Sequence, residues 1–515
     1  MKDFTTGSIP KQLLAFAVPL LLGNFLQTFI EVMNMFWVGR ILGHEAIAAV
    51  ATSLPILFLL ISVLIGLSIA ANIIVAQAYG AKNIKYMEKT FANSLIMSVA
   101  LCVVVSAGGI IFSDQLLTLI NCPLAIKAQA SSYFKVVLIG LSFMFIYNWY
   151  SGIQRGLGDA KTPLYILMLN AALNLCLVPL FIKQFGLNGA AFANIISGIT
   201  STIAGYFYAS AKNPFFNVRE WDFSIDLSII KKLFGIGIPA SLQMIIISIA
   251  GFAIMNIVNG YGAIVTAAAG IGQQCDQLAF LPAMSIGLAV TSMAGQNLSA
   301  GKMDRVKQVL KYGLLLSLSI SIVFTLLIYL FPHQIASVFT RDESAALIIP
   351  HVVGYLGITC FSYIAFAIVF TIMGVVRGAG DTVGILILSF ISAVLFRIPL
   401  AWYLSSKTTM GENGIWLAIL ITSYITALLN FGYYKMGRWK KIKLLHGREQ
   451  AKVMVEEEKE FGCRDLFLVV PEYCVGCVGG VCDWVCEGLV VYGAVEVWCV
   501  GGYLQCSCYV WCEDE

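Results

Sequence analysis

The sequence predicts an all-α polytopic membrane protein, with twelve transmembrane helices in two six-helix lobes related by a pseudo-two-fold repeat along the membrane normal. Three observations predict it. The 515-residue chain is 59% hydrophobic and 12% charged, roughly half the charged share of a soluble domain. Apolar runs of bilayer-spanning length recur from Leu13 to Tyr434, and only helices or closed barrels satisfy backbone polar groups in hydrocarbon. The chain also repeats itself at an offset of roughly 220 residues, the mark of a duplicated unit.

The first run, Leu13 to Gly43, is long enough to cross a bilayer. It is longer than a signal-peptide core and lacks a small-residue cleavage site, so it is expected to be retained. Further apolar runs follow at about 46–77, 91–112, 131–154, 163–183, 188–210, 233–258, 264–296, 309–331, 347–374, 383–405 and 413–435. Pro19, Pro55, Pro239 and Pro282 lie inside runs, where they bend helices and free carbonyls.

The connections sort by charge. One set carries Lys82, Lys85, Lys89, Arg155, Lys161, Lys212, Arg219, Lys231, Lys232, Lys302, Arg305, Lys307, Lys311, Arg377, Lys435, Arg438, Lys440, Lys441 and Lys443. The alternate set has only Arg40, Lys127, Lys183, Arg341 and Lys407. The positive-inside rule makes the first set cytoplasmic. Both termini then lie in the cytoplasm, as an even number of spans requires, and a cell inner or plasma membrane is the expected location.

The repeat is carried by four matches in order. Lys11 to Pro19 resembles Lys231 to Pro239, and Gln77 with Gly80-Ala-Lys82 matches Gln296 with Ala300-Gly-Lys302. Arg155-Gly-Leu-Gly-Asp159 matches Arg377-Gly-Ala-Gly-Asp381, and Gly186-Leu-Asn-Gly189 matches Gly411-Glu-Asn-Gly414. Each half holds six spans, so the halves share one orientation, an arrangement typical of carriers that rock about a midplane site. The expected domains are residues 1–211, a linker at 212–232, residues 233–440, and a tail at 441–515 that is biased in composition from about 463.

Polar groups inside spans mark the candidate site. Asn24, Gln27, Glu31 and Asn34 fall at i, i+3, i+7 and i+10 on one narrow helix face. An intramembrane carboxylate marks an ion or substrate path by default, with interhelical packing as the plainer alternative. Asn170 and Asn174 share a face of the fifth span, as ligands or as hydrogen bonds to neighbours. Gln273, Asp276 and Gln277 make a second acid-and-amide cluster in the eighth span, lining a cavity or hydrated at a membrane face. Gln243 and Asn256 in the seventh span are weaker candidates for the cavity wall. The substrate cavity is assigned to Asn24, Gln27, Gln243, Asn256, Gln273, Asp276 and Gln277.

Enzyme signatures are absent: there is no phosphate loop, no Gly-x-Ser-x-Gly elbow and no His-Glu-x-x-His. No nucleotide-binding domain is present to power a pump, so solute movement would draw on an ion gradient. The expected partners are a small-molecule substrate and membrane lipid, with no nucleic acid, no cofactor beyond the coupling ion, and a monomeric state.

Asn34-Met-Phe-Trp-Val-Gly39, the paired Arg-Gly-x-Gly-Asp loops and Ala294-Gly-Gln-Asn-Leu298 resemble the multidrug and toxic compound extrusion (MATE) family over about residues 8–440. The resemblance implies a secondary-active antiporter that exports organic, often cationic, compounds in exchange for H⁺ or Na⁺, with ion coupling expected at Glu31, Asn34, Asn170 and Asn174. A flippase of related two-lobe architecture, acting on lipid-linked substrates, is the alternative. Two positions depart from the family. Asn34 stands where an acid is usual, with Glu31 one turn earlier, and Val178 stands where many bacterial members have Asp.

The tail lies outside the resemblance. Of 14 cysteines, nine fall in the last ~55 residues. Cys474-x-x-Cys477 and Cys482-x-x-x-Cys486 invite a zinc reading, but four residues between the pairs is far short of a zinc-ribbon spacing. A compositionally biased extension is the other reading.

Overall fold

The computed structural model describes residues 2–119, 122–212, 221–339, 345–442, 481–486, 489–500 and 503–509. It divides into two units, Met1–Lys452 and Val453–Glu515. Arg219, Arg341 and Lys443 lie outside the described residues.

In the first unit every described element is helical. The first lobe runs α1 (Ile9–Leu42), α2 (His44–Gly80), α3 (Ile84–Ile111), the short α4 (Ser113–Leu119), α5 (Leu124–Gly156), α6 (Lys161–Phe185) and α7 (Leu187–Lys212). The second runs α8 (Leu227–Asn259), α9 (Ala263–Ser299), α10 (Met303–Leu330), the short α11 (Pro332–Phe339), α12 (Ala345–Thr359), α13 (Ser362–Gly378), α14 (Thr382–Phe390), a π-helical turn Ile391–Arg397, α15 (Ile398–Ser406) and α16 (Glu412–Met436). Among the described residues eleven helical stretches are long and apolar enough to cross a bilayer, and α12 with α13, bent by 47°, makes a twelfth if the pair is one span.

The duplication extends into backbone geometry. Positive φ recurs at matched turns: Gly43 and Gly262, Lys82 and Gly301, Gly158 and Gly380, Gly186 and Gly411. The short helices α4 and α11 also match, and the sequence reading had missed both. At the Arg-Gly-x-Gly-Asp turns the glycine at φ 77° or 93° closes the preceding helix. The aspartate then caps the next helix. Asp159 accepts from the Lys161 and Thr162 amides at 2.9 and 3.1 Å, and Asp381 from the Gly384 amide at 2.9 Å. Many basic residues cluster at this end of the bundle, called here the basic end.

The seam between lobes is built where α2 meets α8 and α9, and where α1 meets α9. Gly80 sits there so closely that a Cβ would stand 2.7 Å from the Gln296 carbonyl carbon. Gly80→Leu is expected to hold the lobes apart at the basic end, with an overpacking cost of about 1–3 kcal/mol. Transport should fall at least about tenfold at unchanged membrane abundance. A Gly80→Leu protein that transports normally would mean that the seam need not close.

The second unit contains a sheet that the compositional reading had not foreseen. Strands β1 (Val481–Cys486), β2 (Leu489–Val500) and β3 (Tyr503–Tyr509) pair antiparallel in sequence order, Val481 opposite Ala494 and Ala494 opposite Tyr509. The zinc reading concerns side chains outside the described residues. The all-α class therefore belongs to the first unit.

Candidate functional site: a cavity in the first lobe

A cavity of roughly 490 Å³ opens among α1, α2, α5, α6 and α7, with two residues of α9 closing one side. That volume suits a drug-sized organic molecule. The stripe on α1 supplies Gln27, Glu31 and Asn34 to its wall, and α6 supplies Asn170. Glu31 is exposed to the space and is the one charged side chain among the described residues that line it. Around it stand Tyr133, Phe143 and Tyr147 of α5 and aliphatic groups such as Val50 and Leu54 of α2.

The amides are cross-linked by one residue that the sequence reading had passed over. Asn194 of α7 accepts at Oδ1 from Asn34 Nδ2 at 3.0 Å, and also from Asn174 Nδ2. Three helices are joined at this oxygen. The Asn34 Oδ1 is buried and has no partner. Val178 is fully buried in the apolar core of the lobe, so the polar link from α6 runs through Asn174 instead. A lone amide in an apolar run was the signal that could have found Asn194. Asn148 and Gln274 also line the cavity and were likewise missed.

The other assigned residues lie elsewhere. Asn24 donates from Nδ2 to Ser285 Oγ at 2.9 Å across the α1–α9 seam. Gln243 is buried, donating to Ser389 Oγ at 3.1 Å and accepting from the Arg377 guanidinium at 3.1 Å. Asn256 is exposed and away from the cavity wall. Gln277 does line it, but its partner from α9 is Gln274. Gln273 instead points its amide at the Met255 sulfur, 3.9 Å away. Gln273 falls at the edge of the face that residues 274 and 277 turn to the cavity, and Asp276 lies farther round the helix.

Asp276 is not among the residues that line this cavity. Its two carboxylate oxygens accept from Tyr355 at 2.6 Å and Tyr363 at 2.7 Å. Those tyrosines belong to α12 and α13 and flank the 47° bend. The acid thus braces a broken span.

Lys135 and Arg397, two basic groups inside spanning helices, are both engaged. Lys135 lies 3.5 Å from Asp114, whose carboxyl the Ser131 hydroxyl and the lysine hold below its ordinary value. The Arg397 guanidinium donates to Thr422 Oγ1 at 3.1 Å. Among the described residues no group of three or more His, Cys, Asp or Glu could hold a metal.

With the geometry in place, comparison with known proteins identifies the lineage. The MatE family model matches residues 19–180 and 239–403, one segment in each lobe. The chain belongs to the MATE family. It is 34% identical to Probable multidrug resistance protein YoeA of Bacillus subtilis (strain 168) over 444 residues, covering 84% of this chain and 95% of that protein. It is 28% identical to Probable multidrug resistance protein NorM of Thermotoga maritima over 452 residues, covering 86% and 96%. Among solved structures, a MATE protein in complex with MaL6 superposes with a TM-score of 0.81 at 24% identity, covering 85% of this chain and 99% of that one. A MATE family transporter described as outward-facing gives 0.80 at 24% identity, covering 86% and 99%. This MATE protein is thus a multi-pass multidrug efflux transporter of the cell membrane and not an enzyme.

Proposed function

We propose that this transporter exports organic cations in exchange for protons, with Glu31 as the group that substrate and proton share. The observation that carries the reading is the cavity itself: one carboxylate among amides, aromatic rings and aliphatic side chains. A cation gains from the carboxylate and from the faces of Tyr133, Phe143 and Tyr147. Sodium would need several free oxygens. Here the Asn194 oxygen is already taken, accepting from two amides. A phosphate-bearing lipid substrate would want cations in the wall, and Lys135 and Arg397 are both engaged elsewhere. The test is uptake of a fluorescent organic cation into inverted proteoliposomes with a proton or a sodium gradient imposed separately. Accumulation driven by the proton gradient alone supports the reading. Accumulation driven by sodium alone would overturn the proton half, and transport of an anionic lipid analogue in its place would overturn the substrate half.

The orientation follows from charge. We place the basic end in the cytoplasm, because Lys82, Lys85, Lys89, Lys302, Arg305, Lys307 and Lys311 gather in its turns and at the starts of α3 and α10. A cysteine introduced at Lys85 should resist an impermeant thiol reagent in intact cells and react after permeabilisation. Reaction in intact cells would invert the topology.

A further inference from the structure

The basic end of the seam carries a reciprocal contact. Gln77 of α2 donates its amide to the Gly378 carbonyl at 2.8 Å, and Gln296 of α9 donates to the Gly156 carbonyl at 2.9 Å. These glutamines are repeat mates, and each reaches the last turn of a helix in the opposite lobe. The last carbonyls of a helix have no partner within it, so each lobe satisfies an orphan acceptor of the other. Ser292 adds a third crossing, donating to Asn72 Oδ1 at 3.1 Å.

The segment before α1 lies across this contact. Its Phe4 amide donates to Gln296 Oε1 at 3.0 Å, so one side chain holds both the other lobe and the strap. The Phe4 carbonyl accepts from Asn297 at 3.1 Å and from Arg305 at 2.9 Å. Arg305 also donates to the Thr6 carbonyl and, from two nitrogens, to the Gly7 carbonyl, each at 3.1 Å. Lys302 donates to the Thr5 carbonyl at 3.1 Å. The Phe4 ring is wholly buried against Phe16, centroids 4.9 Å apart. On the other side the strap runs over the Gly158 turn of the first lobe, where a Cβ would stand 3.2 Å from the Lys2 amide nitrogen.

We propose that Arg305, Gln77 and Gln296 are positioning residues of the transport cycle, which lock the lobes together at the basic end through the strap of residues 2–7. Release of this latch is then the step that lets the cavity reach the basic side. The arrangement favours a lock over ordinary packing for a chemical reason. Most of its bonds run from side chains to backbone carbonyls, so they form or break as a set, and Phe4 is the one apolar side chain of residues 2–7 that release must draw from its core. Its charged donors keep access to water once released, which limits the cost of opening. The inference rests on the transporter reading but not on Glu31 or on the choice of ion.

The test reads the seam directly. Ser292→Cys places a thiol at a buried position on the crossing, and its labelling by a small maleimide in nanodiscs is followed at that peptide by mass spectrometry. Adding Arg305→Ala, or deleting residues 2–7, should speed labelling at least tenfold at equal thermal stability. A rate within twofold of the intact strap overturns the latch. Should those variants misfold, Thr5→Cys with Lys302→Cys bridged by a short bis(methanethiosulfonate) gives a second reading. Bridged protein should lose at least nine-tenths of its transport, and reduction should restore it, with the single-cysteine variants as reference. Full transport by the bridged protein overturns the proposal. A failure of the Glu31 reading leaves both measurements untouched, so the two claims can fall separately.

Discussion

Glu31→Gln is expected to reduce gradient-driven export by about 100-fold or more, to the level of passive leak. The substitution keeps the length of the side chain and one acceptor oxygen but removes the group that can exchange a proton. A carrier whose states no longer differ in affinity for the driving ion gains nothing from its gradient. Binding of a cationic substrate should weaken by only about tenfold, because the carboxylate faces an open cavity where one charge contact contributes about 1–1.5 kcal/mol. Tyr133, Phe143 and Tyr147 remain in the wall. Asn34 lies one turn away on the same wall, so Asn34→Asp in the Glu31→Gln background should restore part of the exchange. Transport and equilibrium binding measured on the same preparation separate the two effects. Wild-type exchange with an unchanged pH profile in Glu31→Gln would reduce the stripe on α1 to helix packing.

The second large effect is expected at Asp276, and it should appear first as stability. Tyr355 and Tyr363 are 2% and 1% exposed, so their hydroxyls have little access to water once the carboxylate is gone. Leaving a buried donor without a partner costs about 1–3 kcal/mol, and Asp276→Leu strands two. Asp276→Asn keeps one acceptor oxygen but turns a donor toward the second tyrosine. The expected order of thermal stability in detergent is wild type, then Asp276→Asn, then Asp276→Leu, with Leu lower by about 2–6 kcal/mol. Transport should follow the same order, because the two hydroxyls hold the halves of a span bent by 47°. Equal stability of the three proteins would remove the brace.

The residues of α9 show where a sequence reading succeeds and where it stops. The cluster Gln273, Asp276 and Gln277 was visible as polar residues inside an apolar run. Which of them faces the cavity depends on how far the helix is rotated, and a rotation of one residue moves the face by about 100°. The structure turns Gln274 and Gln277 to the cavity and Asp276 to the two tyrosines. For α1 the same uncertainty did less harm. Its polar residues fall on one narrow face, so any rotation that turns the apolar side to lipid brings Gln27, Glu31 and Asn34 to the interior together.

Composition, run length and the order of repeated motifs determined the spans and the two lobes, because transfer into a bilayer and helical periodicity act on contiguous residues. The acid that dominates the cavity belongs with them. Only the tertiary structure decided that Asn194 joins three helices, that Gln243 is buried beside Arg377, and that Gln77 and Gln296 serve each other's lobes. Each of these contacts couples residues far apart in the chain. Their pairing is set by the rotation and close approach of packed helices, which local periodicity does not encode.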